Sequence, residues 1–308
     1  WPRMEQLLIN GSQWPLDEIS KEDREADLHE ALAFGNHKGA ASKPELLKAL
    51  IAADVQHGYG LVIPRDKVAR IPNACLAPMN IMHQFTLDAS GDIVDKERLT
   101  HDQSFKWQSG TSINSRVDKD KLQRCMYGRC LMRLLCWIVA ARRQFPNKPI
   151  VLQKIDVKSA YRRCHLNATT AIKTITQLTD DELCIIMLRL TFGGAPCPFE
   201  WNIIAESIRD LANAILHDDT WDPTTLHAPC QHLVPPMILI DDSIPFAEGA
   251  EQIVDIPINP RGTGDIYIDD FIETTIVMEG TDNVVRCERA TLLAINVTAR
   301  PKHINEPI

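Results

Sequence analysis

Apolar positions recur along this chain with two periods. Steps of three and four residues mark helix, and alternation or short apolar runs between turn residues mark strand. Leu28, Ala31, Leu32 and Phe34 continue the acid-rich run Asp17 to Glu30 at helical spacing. Ser42-Lys43-Pro44-Glu45 reads as a helix start, with Ser42 as N-cap and Glu45 three residues on. Leu46, Leu47, Leu50 and Ile51 then form one face, and Gly58-Tyr59-Gly60 breaks it. Residues 1–60 are thus expected to be a helical N-terminal extension with a packing or connecting role.

From residue 61 the pattern shortens. Leu61 to Pro64 is strand-like, Pro72 and Pro78 punctuate the chain, and Asn80 to Leu87 predicts a strand. Ala89-Ser90-Gly91-Asp92 supplies a turn and Ile93 to Phe105 a returning strand. Alternation places Lys96 and Arg98 on one face of that hairpin, where they could bind phosphates or simply be solvated. Ser112, Asn114 and Arg116 follow as a polar loop. Residues 119–145 repeat Leu122, Met126, Cys130, Leu134 and Trp137-Ile138 at helical steps, predicting a core helix with a basic outer face that Pro146 ends. Ile150 to Asp156 is an apolar strand closing on an acid, and further strands are expected at Ile172 to Ile175 and Cys184 to Leu190. Thr191 to Pro198, with two glycines and two prolines, reads as a loop before a helix striped by Trp201, Ile204, Ala205, Ile208, Leu211, Ala212 and Ile215. Residues 218–264 read as a surface insertion. Asp282 to Ala294 predicts a helix with Val285, Leu292 and Leu293 inward, and Pro301 and Pro307 mark a tail over 301–308.

Composition narrows the class. The chain has 308 residues, 44% apolar and 24% charged, ordinary for a globular protein of one large or two smaller domains. Nine cysteines include no CxxC pair, so zinc-ribbon and dithiol redox chemistry lack support, and an odd count points to reduced thiols inside a cell. No signal peptide is visible, and the longest apolar run, Leu134 to Ala141, is too short to span a bilayer. The net charge of −8 argues against a nucleic-acid binder, but its distribution does not. Arg116 to Arg163 carries thirteen Lys/Arg against three Asp, whereas His217 to the C-terminus carries sixteen acids against five Lys/Arg. One region suits a polyanion, the other is acidic, and solvated helix faces are the competing explanation.

The candidate chemistry lies in Asp265-Ile266-Tyr267-Ile268-Asp269-Asp270-Phe271-Ile272-Glu273, two apolar runs about paired acids. This predicts a β-hairpin with a turn at Asp269-Asp270 that presents both acids to one cleft. Paired carboxylates repel and are costly to desolvate, so a hard divalent cation is the natural partner and a solvated turn the bland alternative. Ile238-Leu239-Ile240-Asp241-Asp242 is a similar run, but Pro245 interrupts its return, so Asp269-Asp270 is the better hairpin. Asp156, closing its own strand, is the third acid, and acids on adjacent strand ends make a two-metal site.

On these residues the chain resembles the reverse transcriptases of retroelements, LTR-type retrotransposons in particular. Tyr267-Ile268-Asp269-Asp270 is similar to that family's Tyr-x-Asp-Asp box, and Asp156-Val157-Lys158-Ser159-Ala160-Tyr161 to its first palm motif. Leu190-Thr191-Phe192-Gly193 with Ala195-Pro196 and Phe199 resembles its Phe-Gly…Ala-Pro…Phe loop, about two residues shorter than usual, and Lys96-Glu97-Arg98 with Asp102 its fingers hairpin. The four motifs keep the family's order over residues 60–280.

The resemblance implies an α+β right-hand polymerase: a fingers-like β-hairpin region over 61–120 and a palm over 121–300, an antiparallel sheet with helices on one face. The thumb would be largely missing. It implies RNA-templated DNA synthesis from dNTPs, with Asp156, Asp269 and Asp270 as catalytic metal ligands for two Mg2+ ions, Mn2+ being the alternative. Arg98 and Lys96 would hold triphosphate oxygens, Tyr161 would exclude a 2′-hydroxyl, and Phe192 and Gly193 would line the nucleotide pocket. Partners would be an RNA template, a DNA or RNA primer and further polyprotein domains (thumb, RNase H, integrase), with no membrane. The location would be intracellular, in a cytoplasmic particle or the nucleus. A catalytically inert remnant that binds nucleic acid or other subunits, and an RNA polymerase of similar palm, are the rival readings.

Overall fold

Sixteen helices and strands follow one another in a computed structural model that describes residues 2–88, 90–226 and 256–299. They are α1 (Pro2–Asn10), α2 (Lys21–Phe34), α3 (Lys38–Ala41), α4 (Pro44–Gln56), β1 (Gly60–Pro64), β2 (Met79–Leu87), β3 (Ile93–His101) and α5 (Cys130–Gln144). Then come β4 (Ile150–Asp156), α6 (Ala168–Ala171), β5 (Ile175–Leu178), β6 (Leu183–Met187), α7 (Cys197–His217), β7 (Thr263–Tyr267), β8 (Asp270–Ile276) and α8 (Asn283–Thr298). The class is α+β with small antiparallel sheets. Two compact units form, one from residues up to 124 plus 159–201, the other from 125–158 plus the described part of 202–300. Residues 159–201 group with the N-terminal residues.

The first unit is built on the antiparallel sheet β1-β6-β5. Its core gathers Leu47 and Ile51 from α4, Met79 and Ile81 from β2, Leu178 from β5 and Ile185 and Met187 from β6. The N-terminal extension is thus part of this core. Further along the extension, the Ser12 N–H bonds to the His165 carbonyl at 2.8 Å and the Trp14 N–H to Thr170 Oγ1 at 3.1 Å. Ser42 does not cap α4: it ends α3, Lys43 takes the N-cap position, and Pro44 occupies the first turn, where its missing N–H costs nothing. Ser20, capping α2 through the Asp23 N–H, is the helix start that sequence reading passed over. The β2-β3 hairpin forms in the expected place, but β3 stops at His101, where Asp102 begins a turn. The strand expected at Ile172 to Ile175 begins only at Ile175, because Asn167 caps α6 just before it.

The second unit is built on the sheet β4-β8-β7. Register sorts β8 into two faces. Asp270, Ile272, Thr274 and Ile276 share one with Asp156 and Lys154 of β4, and Phe271, Glu273 and Thr275 share the other with Gln153. Ile276 packs against Trp137 and Ala141 of α5, whereas Glu273 meets Gln153 and, from α8, Thr291 and Cys287. The helices therefore lie on both faces, not on one as expected. Glu273, Thr274, Thr275 and Ile276 are all buried, as a strand covered on both sides must be. The edge of β7 is covered too. Asn213 of α7 accepts from the Gly264 N–H and donates to the Gly264 carbonyl, each at 2.8 Å.

Two expectations for this unit need correction. The helix over 119–145 starts only at Cys130, after Gly128 and two short 3-10 turns, with no side-chain cap to extend it. Its outer face is not simply basic: Leu131, Met132 and Leu135 are exposed, while Arg133 turns inward to Asp265 at 2.5 Å. In α8, burial falls on Val285, Cys287, Ala290, Ala294 and Ile295 rather than on Leu292 and Leu293. Of the 218–264 insertion, residues 227–255 lie outside the described residues, as do Asp241-Asp242 and the 301–308 tail.

Candidate functional site

In the second unit, the strands deliver three acids to one place. Asp156 is the last residue of β4 and Asp270 the first of β8, and the two are register partners. The Val157 N–H bonds to the Asp269 carbonyl at 3.0 Å and ties the hairpin tip to the end of β4. The turn sits one residue earlier than expected, at Ile268-Asp269, so Asp270 is already strand. Ile268 adopts φ of 59°, a left-handed conformation that a β-branched residue resists. Carboxylate oxygens of Asp156, Asp269 and Asp270 lie within 4.8 Å of one another.

That spacing fits a hard cation. Oxygens around Mg2+ or Ca2+ sit at roughly 2.0–2.6 Å from the ion, so two ligands on one ion can be at most about 4–5 Å apart. Burial, and then the charges of Asp156 and Asp270, hold the Asp269 carboxyl above the usual carboxylate range against a lowering backbone N–H bond. A divalent charge would reverse that frustration. Sequence reading missed a fourth group. Lys154 is two residues before Asp156 on the same face, and its Nζ meets Asp270 Oδ1 at 2.8 Å. That hydrogen bond, with the charges of the three acids, raises the Lys154 pKa. Period-two alternation from Asp156 was the signal available. Behind the site, burial pushes Glu273 up to about 7.

In the first unit, Arg98, Tyr161, Phe192 and Gly193 gather around the glycine loop. The Tyr161 and Phe192 rings lie 6.3 Å apart at 34°, and the Arg98 guanidinium sits 5.9 Å from the Phe192 ring centre. Phe192 is 47% exposed, so this aromatic and cationic surface is open to a ligand. Tyr161 belongs to a short 3-10 turn, Ala160–Arg163, preceded by Ser159 at φ of 54°. Lys96 and Arg98 do share a face of the hairpin, their cross-strand partners being Gln84 and Met82. Gly193 has φ of 139°, and a Cβ there would overlap the His101 carbonyl oxygen, so the residue must be glycine. His101, fully buried, donates its N–H to the Phe192 carbonyl at 2.9 Å, and burial lowers its ring pKa to about 3, keeping it neutral. Arg162 joins this loop through the Leu190 carbonyl and pairs with Asp54 of α4 at 2.7 Å.

The chain matches no protein-family model and no curated protein. Among the described residues no helix is long and apolar enough to cross a membrane. The eight described cysteines are all free thiols.

Proposed function

We propose that the chain performs RNA-templated DNA synthesis, extending a primer 3′-hydroxyl with dNTPs as part of a retroelement polyprotein. The observation that carries this reading is the meeting of Asp156, Asp269 and Asp270 at paired strand ends, with oxygens close enough for shared cations. Divalent ions held there would lower the pKa of the primer hydroxyl and neutralise charge on the triphosphate. Asp156 and Asp269 would hold the ions, and Asp270 would support them once Lys154 gives up its oxygen. Tyr161 acts as the wall against a 2′-hydroxyl, Arg98 and Lys96 bind phosphate oxygens, and Phe192 with Gly193 lines the nucleotide surface. Little covalent chemistry is asked of the protein, so carboxylates, cations and one steric wall suffice.

Primer extension on an RNA template with Mg2+ and dNTPs tests it. Extension that disappears in Asp269→Asn supports the reading. No extension by a version carrying any missing domains returns the inert, nucleic-acid-binding module, and preference for ribonucleotides returns the RNA polymerase. Tyr161→Ala is expected to admit ribonucleotides.

A further inference from the structure

The polar loop around Asn114 was left without a role by its sequence, yet its side chain sits on the glycine loop. Asn114 Nδ2 donates to the Gly193 carbonyl at 2.8 Å, and Asn114 Oδ1 accepts from the Ala195 N–H at 2.7 Å. One amide thus spans Gly194 and holds the backbone on both sides of it. The orientation of that amide is fixed, because one partner can only accept and the other can only donate. Nδ2 also donates to Ser104 Oγ at 2.9 Å, so the side chain cannot turn away without losing three bonds.

The support behind Asn114 is rigid. Its own N–H bonds to the Gln103 carbonyl at 2.9 Å, and Gln103 Nε2 donates to Thr191 Oγ1 at 2.7 Å, both residues being buried. Ser112 and Ser115 exchange bonds across the turn that carries Asn114, N–H to hydroxyl at 2.8 and 3.0 Å. The segment Thr191 to Ala195 has no regular secondary structure to fix it. Two glycines in succession would let it sample many conformations. Its backbone is held by the Asn114 amide, by the His101 N–H on Phe192 and by a turn bond from the Gly194 N–H to the Thr191 carbonyl, while Gln103 fixes the Thr191 side chain.

We propose that Asn114 is the positioning residue for this loop, setting the place of Phe192 beside Tyr161 and Arg98 and so the affinity for the incoming nucleotide. The proposal rests on the polymerase reading for the identity of the ligand, but the clamp itself does not. Asn114 touches no reacting atom. Removing it leaves the aspartates intact and loosens only the surface against which a base and sugar pack. Asn114→Ala loses both anchors. Asn114→Asp keeps the acceptor for the Ala195 N–H and loses the donor to Gly193.

Two measurements on the whole chain test this. Amide hydrogen exchange reads the clamp without activity. In Asn114→Ala, Ala195 is expected to exchange at least about tenfold faster, with β5 and β6 amides unchanged, and Asn114→Asp should restore most of the Ala195 protection. Unchanged protection at Ala195, or loss spread through the β1-β6-β5 sheet, overturns the clamp. Primer extension reads its consequence. KM for dNTP should rise about tenfold in Asn114→Ala while kcat falls less than about threefold, the signature of lost ground-state binding. A fall in kcat with KM unchanged overturns the nucleotide role. Wild type without extension overturns the polymerase reading and leaves the exchange result to decide the clamp.

Discussion

The aspartate hairpin and the glycine loop place their key residues by opposite means. At the hairpin, strand register does the work: Asp156 faces Asp270 because β4 and β8 pair, and one backbone bond holds Asp269. At the glycine loop there is no register: His101, Asn114 and Arg162 hold backbone groups and Gln103 holds the Thr191 hydroxyl, all of them remote from the loop in the chain. A site made by pairing is robust to surface change but fails with any ligand residue. A site made by side-chain bonds fails when a remote partner is lost.

The largest effect should come from breaking the hairpin site at a ligand. Asp269→Asn removes one oxygen donor and one charge from the cluster. Metal ligands stabilise charge in the transition state by several kcal/mol, so extension should fall roughly 10^3-fold. Divalent affinity, measured by calorimetry, should fall with it while the melting temperature holds. An unchanged affinity would remove Asp269 from the metal site.

At the loop, Gly193→Ala gives the matching break. The added Cβ meets backbone, which cannot rotate away, and φ of 139° is strained for alanine. A loss on the order of 2–3 kcal/mol in unfolding free energy is expected, read by chemical denaturation. Stability within error of wild type would mean that the His101–Phe192 contact is not rigid.

This contrast also explains what the sequence disclosed. Asp156, Asp269 and Asp270 were legible because each stands beside a β-prone run, and pairing such runs needs no distant information. The shared face of Lys96 and Arg98 followed from the same alternation. Asn114, Arg162, Asp54 and Gln103 were not legible, since nothing local says which backbone atom a polar side chain will meet. The helices on both faces of β8 were missed for a related reason. The one-faced sheet came from the resemblance alone, and nothing local to β8 says that Gln153 and α8 close over Glu273.

Glu273 gives the hairpin unit a pH signature opposite in sign to that of His101 at the glycine loop, whose lowered pKa costs stability as pH falls below about 6.5. Its folded pKa is raised to about 7 from an ordinary 4.5, so folding favours the protonated form. Its stability contribution is complete below about 4.5 and is lost as pH rises through 7. The size is on the order of 3 kcal/mol for an isolated group. Glu273→Gln should flatten the stability curve between these pH values and stabilise the protein above pH 7, by denaturation at several pH values. An unaltered slope would assign the dependence elsewhere.

Lys154 sharpens the electrostatics of the hairpin. Its ammonium neutralises Asp270 and must yield when a divalent ion takes that oxygen. Unit charges about 4 Å apart in water interact by roughly 1 kcal/mol, so Lys154→Met should tighten Mg2+ binding about fivefold, and less so in high salt. Weaker binding would show instead that Lys154 holds Asp270 in its ligating position.

The smallest effect tests whether strain aims the acids. Ile268 sits at φ of 59°, which costs a β-branched residue about 1–2 kcal/mol, and asparagine tolerates that conformation. Ile268→Asn should therefore stabilise the protein by about 1 kcal/mol at most, a rise of a few degrees in Tm. Divalent affinity should not change, because Asp156 and Asp270 are set by register and Asp269 by the Val157 N–H, none of which involves the Ile268 side chain. If stability rises while affinity falls, the left-handed turn at Ile268 helps to point Asp269 at the ion. Pairing would then account for only two of the three ligands, and the hairpin would share with the glycine loop a dependence on local conformation that register does not supply.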